Sequence, residues 1–150
     1  MKPLRDLDVP RPDATRGLAR SVMEDDLRKL ETEETLTVSP KESATEVVRR
    51  MREAQTGCAL VLEGDELVGI FTEHDVLCKM TGEKSSAVNV AVSELMSANP
   101  ETLRETDSVA SALNKMALGR YRHVPVLKDD GGYAVASIKQ VLKYIAQEDW

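Results

Sequence analysis

The chain has 150 residues, which is enough for one ordinary domain or for two small units that share a core. Its net charge of −6 and its aromatic content of only 3% argue against binding to a nucleic-acid backbone or to unstacked bases. Apolar residues make up 41%, and no run approaches the ~20 apolar residues of a membrane helix. The N-terminus lacks the apolar stretch of a secretory signal, so we expect a cytoplasmic protein without membrane contact.

Two cysteines and two histidines show no clustered ligand spacing, so the sequence predicts no dedicated metal site. Cys58 and Cys78 fall on a predicted strand and a predicted helix, where we expect both to be buried free thiols. The chain contains no Gly-rich phosphate loop, no H-E-x-x-H motif and no nucleophile–base–orienter set, so it is not predicted to be an enzyme.

In chain order, a proline-containing irregular arm over residues 1–14 comes first. Asp13 or Thr15 is placed to cap a helix that runs to about Leu30. The apolar residues of this helix would lie along one side, and they must be buried on the same domain or on a partner chain: Leu18, Val22, Met23, Leu27 and Leu30.

An internal repeat follows, because a shift of 65 positions aligns the two halves of the chain without a gap. Identities fall at matching structural positions, among them Thr37 with Thr102 and Met51 with Met116. Each unit reads as a short strand, a helix, a hairpin and a closing helix. One unit of about 45 residues buries too little surface to stand alone, so we expect the two units to pack sheet against sheet.

Local signals divide the repeat further. Ser43-Ala44-Thr45-Glu46 fits a capping box at the start of a helix. The first hairpin turns at Glu63-Gly64-Asp65-Glu66, and Pro125 predicts an edge position or an irregular strand in the second hairpin. The predicted organisation is an N-terminal arm and helix (1–30), a first unit (31–82), a linker with a helical turn at Val92-Ser93-Glu94-Leu95-Met96 (83–97), and a second unit (98–150).

Thr72 and Asp75 stand where a strand hands over to a helix. A hydroxyl at this position caps a free backbone N–H, and an Asp three residues later lies in the first helical turn. Both groups can also face a cleft, in which a carboxylate accepts two vicinal hydroxyls of a ribose. The charge is uneven, since residues 33–82 carry net −5 and residues 98–147 net +2, so an anionic ligand would find its cations in the second half.

At this point the sequence resembles a tandem pair of cystathionine β-synthase (CBS) domains, called a Bateman module, over roughly residues 30–148. The motifs that carry the resemblance are Thr37-Val38-Ser39-Pro40, Ala59-Leu60-Val61-Leu62, Gly69-Ile70-Phe71-Thr72-Glu73-His74-Asp75-Val76-Leu77, Val92-Ser93-Glu94-Leu95-Met96 and Arg122-His123-Val124-Pro125-Val126. It implies an α+β fold of two β-α-β-β-α units related by a pseudo-twofold, with packed sheets, here preceded by an N-terminal helix. It also implies frequent pairing into a dimeric disc, and clefts that bind adenosine-containing ligands for sensing.

The resemblance also implies which residues would line two clefts. In the first cleft, Thr72 and Asp75 match the family's ribose pair, and the base would lie against Thr102, Leu103, His123 and Val124. Phosphate would meet Arg120, Arg122 and His123. The corresponding positions of the second cleft are Thr37, Val38, Ser137 and Gln140. Because Gln140 lacks the charge of a carboxylate, we expect a ligand in the first cleft only.

The leading hypothesis is a stand-alone regulatory homodimer that binds AMP, ADP, ATP or a related adenosyl ligand such as S-adenosylmethionine, and that signals to an effector protein. The N-terminal helix would transmit the signal. The rival hypothesis is a ligand-free dimerisation or protein-interaction module, which is favoured by Gln140, Gly57 and Cys58.

Overall fold

A computed structural model describes residues 12–30, 35–81 and 89–147, with side chains from Gly17 onward in the first range. The expected α+β fold is confirmed: after an N-terminal helix, two β-α-β-β-α units each build their own sheet. The predicted irregular arm lies largely outside the described residues. No helix in the described ranges is long and apolar enough to cross a membrane.

The elements in chain order are α1 (Pro12–Glu24), a 3-10 turn (Leu27–Lys29), β1 (Thr37–Val38), α2 (Ala44–Ala54), β2 (Cys58–Glu63), β3 (Glu66–Thr72), α3 (Glu73–Lys79), α4 (Val92–Leu95), β4 (Ser97–Ala98), β5 (Leu103–Arg104), α5 (Val109–Gly119), β6 (His123–Leu127), β7 (Tyr133–Ser137) and α6 (Ile138–Ile145).

The two sheets repeat one pairing scheme. The first has the order β1-β2-β3-β4 and the second the order β5-β6-β7, and in both the first strand is parallel to the second while the hairpin is antiparallel. Val38 pairs with Val61, and 65 residues later Leu103 pairs with Val126. The repeat in the sequence is therefore also a repeat of strand register.

The two sheets pack against each other through a small shared cluster of buried side chains. Cys58, Leu60 and Ile70 of the first unit meet Val135 of the second in this cluster. Each unit also has its own core, formed between its sheet and its helices. The expectation that the two units pack sheet against sheet is confirmed.

The N-terminal helix ends earlier than predicted, at Glu24 rather than near Leu30. Asp26 has an extended backbone, and its carboxylate accepts a hydrogen bond from Arg28 N–H at 3.0 Å, so it caps the following 3-10 turn instead of continuing the helix. Asp13 and Thr15 lie inside α1, which the structure describes from Pro12 onward.

The segment after α1 completes the core of the second unit, not of the first. Leu27 N–H donates to Asp107 C=O at 3.0 Å, and Val109 N–H donates to Asp25 C=O at 2.9 Å. Leu27 and Leu30 are buried among the side chains of the second unit. The apolar stripe predicted around these two leucines is therefore buried on the same chain.

The linker completes the core of the first unit in the same way, although it precedes the second unit in the chain. Val92 N–H donates to Glu42 C=O at 2.8 Å, and Ala44 N–H donates to Val90 C=O at 2.8 Å. Val92 is fully buried in the first unit. Each residue in these two hydrogen bonds is 65 positions away from the equivalent residue in the two bonds that Leu27 and Val109 donate. Each unit is therefore completed by the segment that precedes the other unit.

The predicted capping box at Ser43 does not form, although Ser43 is the N-cap of α2. Its side chain accepts no cap hydrogen bond in the described structure. The Glu46 carboxylate turns along the helix and accepts from Arg49 Nε at 3.0 Å, while the linker backbone satisfies the first amide of α2. Two other junctions of strand and helix do form capping boxes, Thr72 with Asp75 and Ser137 with Gln140.

Two further expectations were wrong. Pro125 lies in β6, the central strand of its sheet, and it is buried. The position is tolerated because β5 has two residues and begins opposite Val126, so Pro125 lies beyond the end of that neighbour. Cys78 is an exposed thiol on α3, whereas Cys58 is buried as expected, and neither forms a disulfide.

Tyr144 on α6 ties the N-terminal segment to the second unit. Its hydroxyl donates to Asp25 Oδ2 at 2.6 Å, and the ring is buried. We expect Tyr144→Phe to lower the free energy of unfolding by about 1.5 kcal/mol, the lower end for hydrogen bonds to charged groups, because Asp25 is only partly buried. Chemical denaturation measures the change, and Tyr121→Phe at an exposed tyrosine serves as the control. Equal stability of both variants and the parent would contradict the assignment.

The same contact predicts a stability loss at alkaline pH. Burial, followed by the hydrogen bond to Asp25, raises the pKa of Tyr144 above its ordinary value. Above about pH 10 the unfolded chain loses this proton while the folded chain keeps it, so stability falls as pH rises further. Unfolding free energies measured across this range should fall less steeply in Tyr144→Phe, by up to about 1.4 kcal/mol per pH unit. Parallel curves would show that Tyr144 titrates normally.

Candidate functional site

A cavity of about 250 Å³ opens between the two units. The first unit lines it with residues before β1 and around the start of β2: Thr35, Leu36, Gln55, Thr56, Gly57 and Cys58. The second unit contributes the start of β6 and the turn into α6: Arg122, His123, Ser137, Ile138, Lys139 and Gln140. The cavity therefore contains Ser137 and Gln140 of the predicted second cleft, together with Arg122 and His123, which were predicted for the first.

Small residues at the start of β2 leave room for the cavity. Thr56, Gly57 and Cys58 occupy positions that Tyr121, Arg122 and His123 fill in the other unit, 65 residues later. A Cβ at Gly57 would come within 2.8 Å of Glu73 Oε1 and 3.0 Å of His123 Nε2. Glycine thus lets side chains from both units approach the cavity wall closely.

The inner wall of the cavity carries the capping box of α6. Ser137 N–H donates to Gln140 Oε1 at 3.2 Å, and Gln140 N–H donates to Ser137 Oγ at 3.3 Å. Both residues are buried. Because the box uses the amide oxygen of Gln140, the side-chain NH₂ remains as its donor group, and the Ser137 hydroxyl remains free to donate as well.

The ribose pair predicted for the first cleft forms the equivalent box in α3. Thr72 N–H donates to Asp75 Oδ2 at 2.9 Å, and Lys79 Nζ pairs with Asp75 Oδ1 at 3.0 Å. Asp75 is only 4% exposed, so its carboxylate points into the protein and not to bulk water. Neither Thr72 nor Asp75 lines the cavity. Their role in binding ribose stays a prediction.

The residues predicted to contact a base are spread over several environments. Leu103 and Val124 are buried in the core of the second unit, and Val38 is buried in that of the first. Thr102 is exposed and donates through its hydroxyl to Pro100 C=O at 3.2 Å.

Neither Thr37 nor Val38, which were predicted for the second cleft, lines the cavity. Thr37 is exposed on β1, and Thr35 and Leu36 form the cavity wall in place of Thr37 and Val38.

The candidate phosphate binders also separate. Arg122 and His123 line the cavity, whereas Arg120 does not. Arg120 is exposed and ends α5 in the left-handed conformation, with φ 56°. Lys139 adds an exposed cation to the lining, and Glu73 adds one carboxylate. The cations of the cavity thus come from the second unit, as the charge asymmetry predicts.

Sequence reasoning missed several lining residues, notably Gln55, Glu73 and Lys139. The available signal was side-chain size across the repeat. Comparing Gly57 with Arg122 predicts more room beside the first unit's hairpin than beside the second unit's.

A duplicated α+β fold with a cleft between its halves is the architecture of a tandem CBS pair. The profile of the family described as "CBS domain" matches residues 19–82 and 92–147. The chain therefore belongs to the CBS domain family, as the sequence motifs predicted.

Known proteins agree with this assignment. The CBS domain-containing protein CBSCBSPB1 of Arabidopsis thaliana is 34% identical over 96 residues, which are 64% of this chain and 18% of that protein. The chain thus spans less than a fifth of the first plant relatives. The CBS-domain containing protein ATU1752 of Agrobacterium tumefaciens superposes with a TM-score of 0.68 at 29% identity, covering 75% of this chain and 90% of that one. CBSX2, solved in complex with AMP, shares the fold with a TM-score of 0.67 at 19% identity, covering 80% and 95%.

Proposed function

We propose that this CBS pair is a regulatory module that binds an adenosine-containing ligand in the cavity between its units. The observation that carries the proposal is the cavity itself, about 250 Å³ beside the buried polar pair Ser137 and Gln140. This volume lies just under the ~300 Å³ at which small-molecule sites begin. It suits the nucleoside part of a nucleotide whose phosphate stays at the open mouth.

The lining offers a partner for each part of such a ligand. Leu36 and Val135 give the base an apolar surface. Ser137 and Gln140 offer hydroxyl and amide groups to the sugar. Arg122 supplies a guanidinium for phosphate, which it can bind through two parallel hydrogen bonds. Since CBSX2 was solved with AMP, AMP is the first ligand to test.

A ligand in this cavity would contact both units and would favour the arrangement of the units that it binds better. The change in equilibrium cannot exceed the difference in affinity between the two arrangements. Helix α6 begins at the cavity and carries Tyr144, which is hydrogen bonded to Asp25. A shift of α6 would therefore reach the N-terminal segment, where an effector protein could detect it.

A thermal-shift series with AMP, ADP, ATP, adenosine and S-adenosylmethionine tests the proposal. A ligand at ~100 times its dissociation constant should add about 2.7 kcal/mol of stability. We expect Gly57→Val, which fills the cavity, to abolish the shift, and Asp75→Asn in the first cleft to retain it. Gly132→Val, a matched glycine substitution in the exposed turn of the second hairpin, serves as the control.

Three results would change the conclusion. No shift with any adenosine compound would reject the sensor function and favour the ligand-free module. A shift that survives Gly57→Val but disappears in Asp75→Asn would move the ligand to the first cleft. Loss of the shift in Gly132→Val would show that the substitutions act through stability and not through the cavity.

Exposed apolar residues support the predicted homodimer as part of this function. Leu77 on α3 is 67% exposed and Leu142 on α6 is 59% exposed. The 65-residue repeat relates the two positions, so α3 and α6 present equivalent apolar faces. Ile138 extends the face on α6 by one helical turn. These faces fit contact with a second copy of the chain.

We expect the double variant Leu77→Glu, Leu142→Glu to be monomeric at concentrations at which the parent is dimeric, because four carboxylates would be placed in one apolar contact. Sedimentation velocity measures the change. Leu118→Glu, at an 80% exposed leucine on α5, is the matched control. A parent that sediments as a monomer, or a double variant that stays dimeric, would contradict this arrangement.

A further inference from the structure

Helix α3 carries a histidine and a cysteine one turn apart on its exposed side. His74 and Cys78 are both exposed, and Cys78 Sγ lies 3.4 Å from Nε2 and 3.8 Å from Nδ1 of His74. Neither residue lines the cavity between the units. The proposed ligand site therefore leaves this pair unexplained.

The spacing of the two side chains suits a metal chelate. Zinc binds cysteine sulfur at about 2.3 Å and histidine nitrogen at about 2.0–2.1 Å, so a tetrahedral angle places the two ligand atoms about 3.6 Å apart. The 3.4 Å between Sγ and Nε2 comes close to this value. A cation could thus enter between the two side chains with little rearrangement of the helix.

The surroundings also favour a cation. Lys79, the nearest base in the sequence, is engaged elsewhere, because its Nζ pairs with Asp75 Oδ1 at 3.0 Å and donates to Leu95 C=O at 2.7 Å. The repeat unit over residues 33–82 carries net −5, which raises the local concentration of cations. Leu77 projects roughly 80° around the helix from the His74–Cys78 row, so the proposed dimer contact occupies an adjoining face.

We propose that His74 and Cys78 chelate a thiophilic divalent cation of the Zn²⁺ class on the outer side of α3. The imidazole binds as a neutral ligand and the cysteine as a thiolate, so binding releases the thiol proton to solvent. In the described ranges no group of three or more His, Cys, Asp or Glu side chains is arranged to hold a metal. Water fills the remaining positions, and the bound metal is exchangeable.

The whole chain provides its own controls, because Cys58 and His123 are its other cysteine and histidine. The reduced protein is titrated with Co²⁺ and with Cd²⁺, and thiolate-to-metal charge-transfer absorption is followed. We expect a saturable band in the parent and in Cys58→Ala, and its loss in Cys78→Ser. His74→Gln should weaken binding by at least about tenfold, whereas His123→Gln should not, since even substitutions next to a metal ligand cost 10–100-fold.

A second readout separates chelation from a change in folding. Zn²⁺ should slow alkylation of the exposed Cys78 thiol in the parent and in His123→Gln, but much less in His74→Gln. No charge-transfer band in the parent would overturn the proposal. So would a band that persists in Cys78→Ser, or equal zinc protection of Cys78 in His74→Gln and in the parent.

Discussion

The structure depends on the backbone hydrogen bonds by which each unit holds the segment that precedes the other. The Leu27 N–H donates to the Asp107 C=O of the second unit, and the Val92 N–H donates in the same way to the Glu42 C=O of the first. Both side chains are buried, and full burial of one such apolar side chain contributes about 1.5–3 kcal/mol. Because neither unit completes its core from its own repeat, the two units fold together, and their packing forms the walls of the cavity between them.

The two halves share a backbone pattern but differ at the cleft. The same helix-starting hydrogen bonds occur at Thr72–Asp75 and at Ser137–Gln140, so a capping role explains these residues in both units. The halves differ in side-chain size at the start of the hairpin, where Thr56, Gly57 and Cys58 correspond to Tyr121, Arg122 and His123. Gly57 leaves space beside Ser137 and Gln140, whereas its repeat partner Arg122 carries a long side chain. A match to the Thr–Asp motif therefore says less about whether a cleft binds a ligand than the size of the residues that line the cleft.

The sequence predicted the duplicated α+β fold and both hairpins, because hydrophobic periodicity recurs at one fixed shift. It did not predict the exchange of segments, since Leu27 and Leu30 continue the apolar spacing of α1 and only the cap at Asp26 ends that helix. The central position of Pro125 depends on the two-residue length of β5, which no local signal encodes. For the site, the family resemblance pointed to Arg122, Ser137 and Gln140, which all line the cavity, but it assigned Arg122 to the other cleft. The small side chain at Gly57 signals room there, but which residues enclose that room depends on the packing of both units.

The reciprocal exchange has a consequence for how the polypeptide can be divided. A cut between residues 82 and 88 would leave one fragment that carries Leu27 and another that carries Val92, and each of these is the core residue that the other fragment lacks. Such fragments would be mutually dependent partners, like the two halves of a split reporter. Either fragment would then fold only in the presence of the other. A covalent connection between the halves would raise their effective concentration, while the fold of each half would still depend on the other.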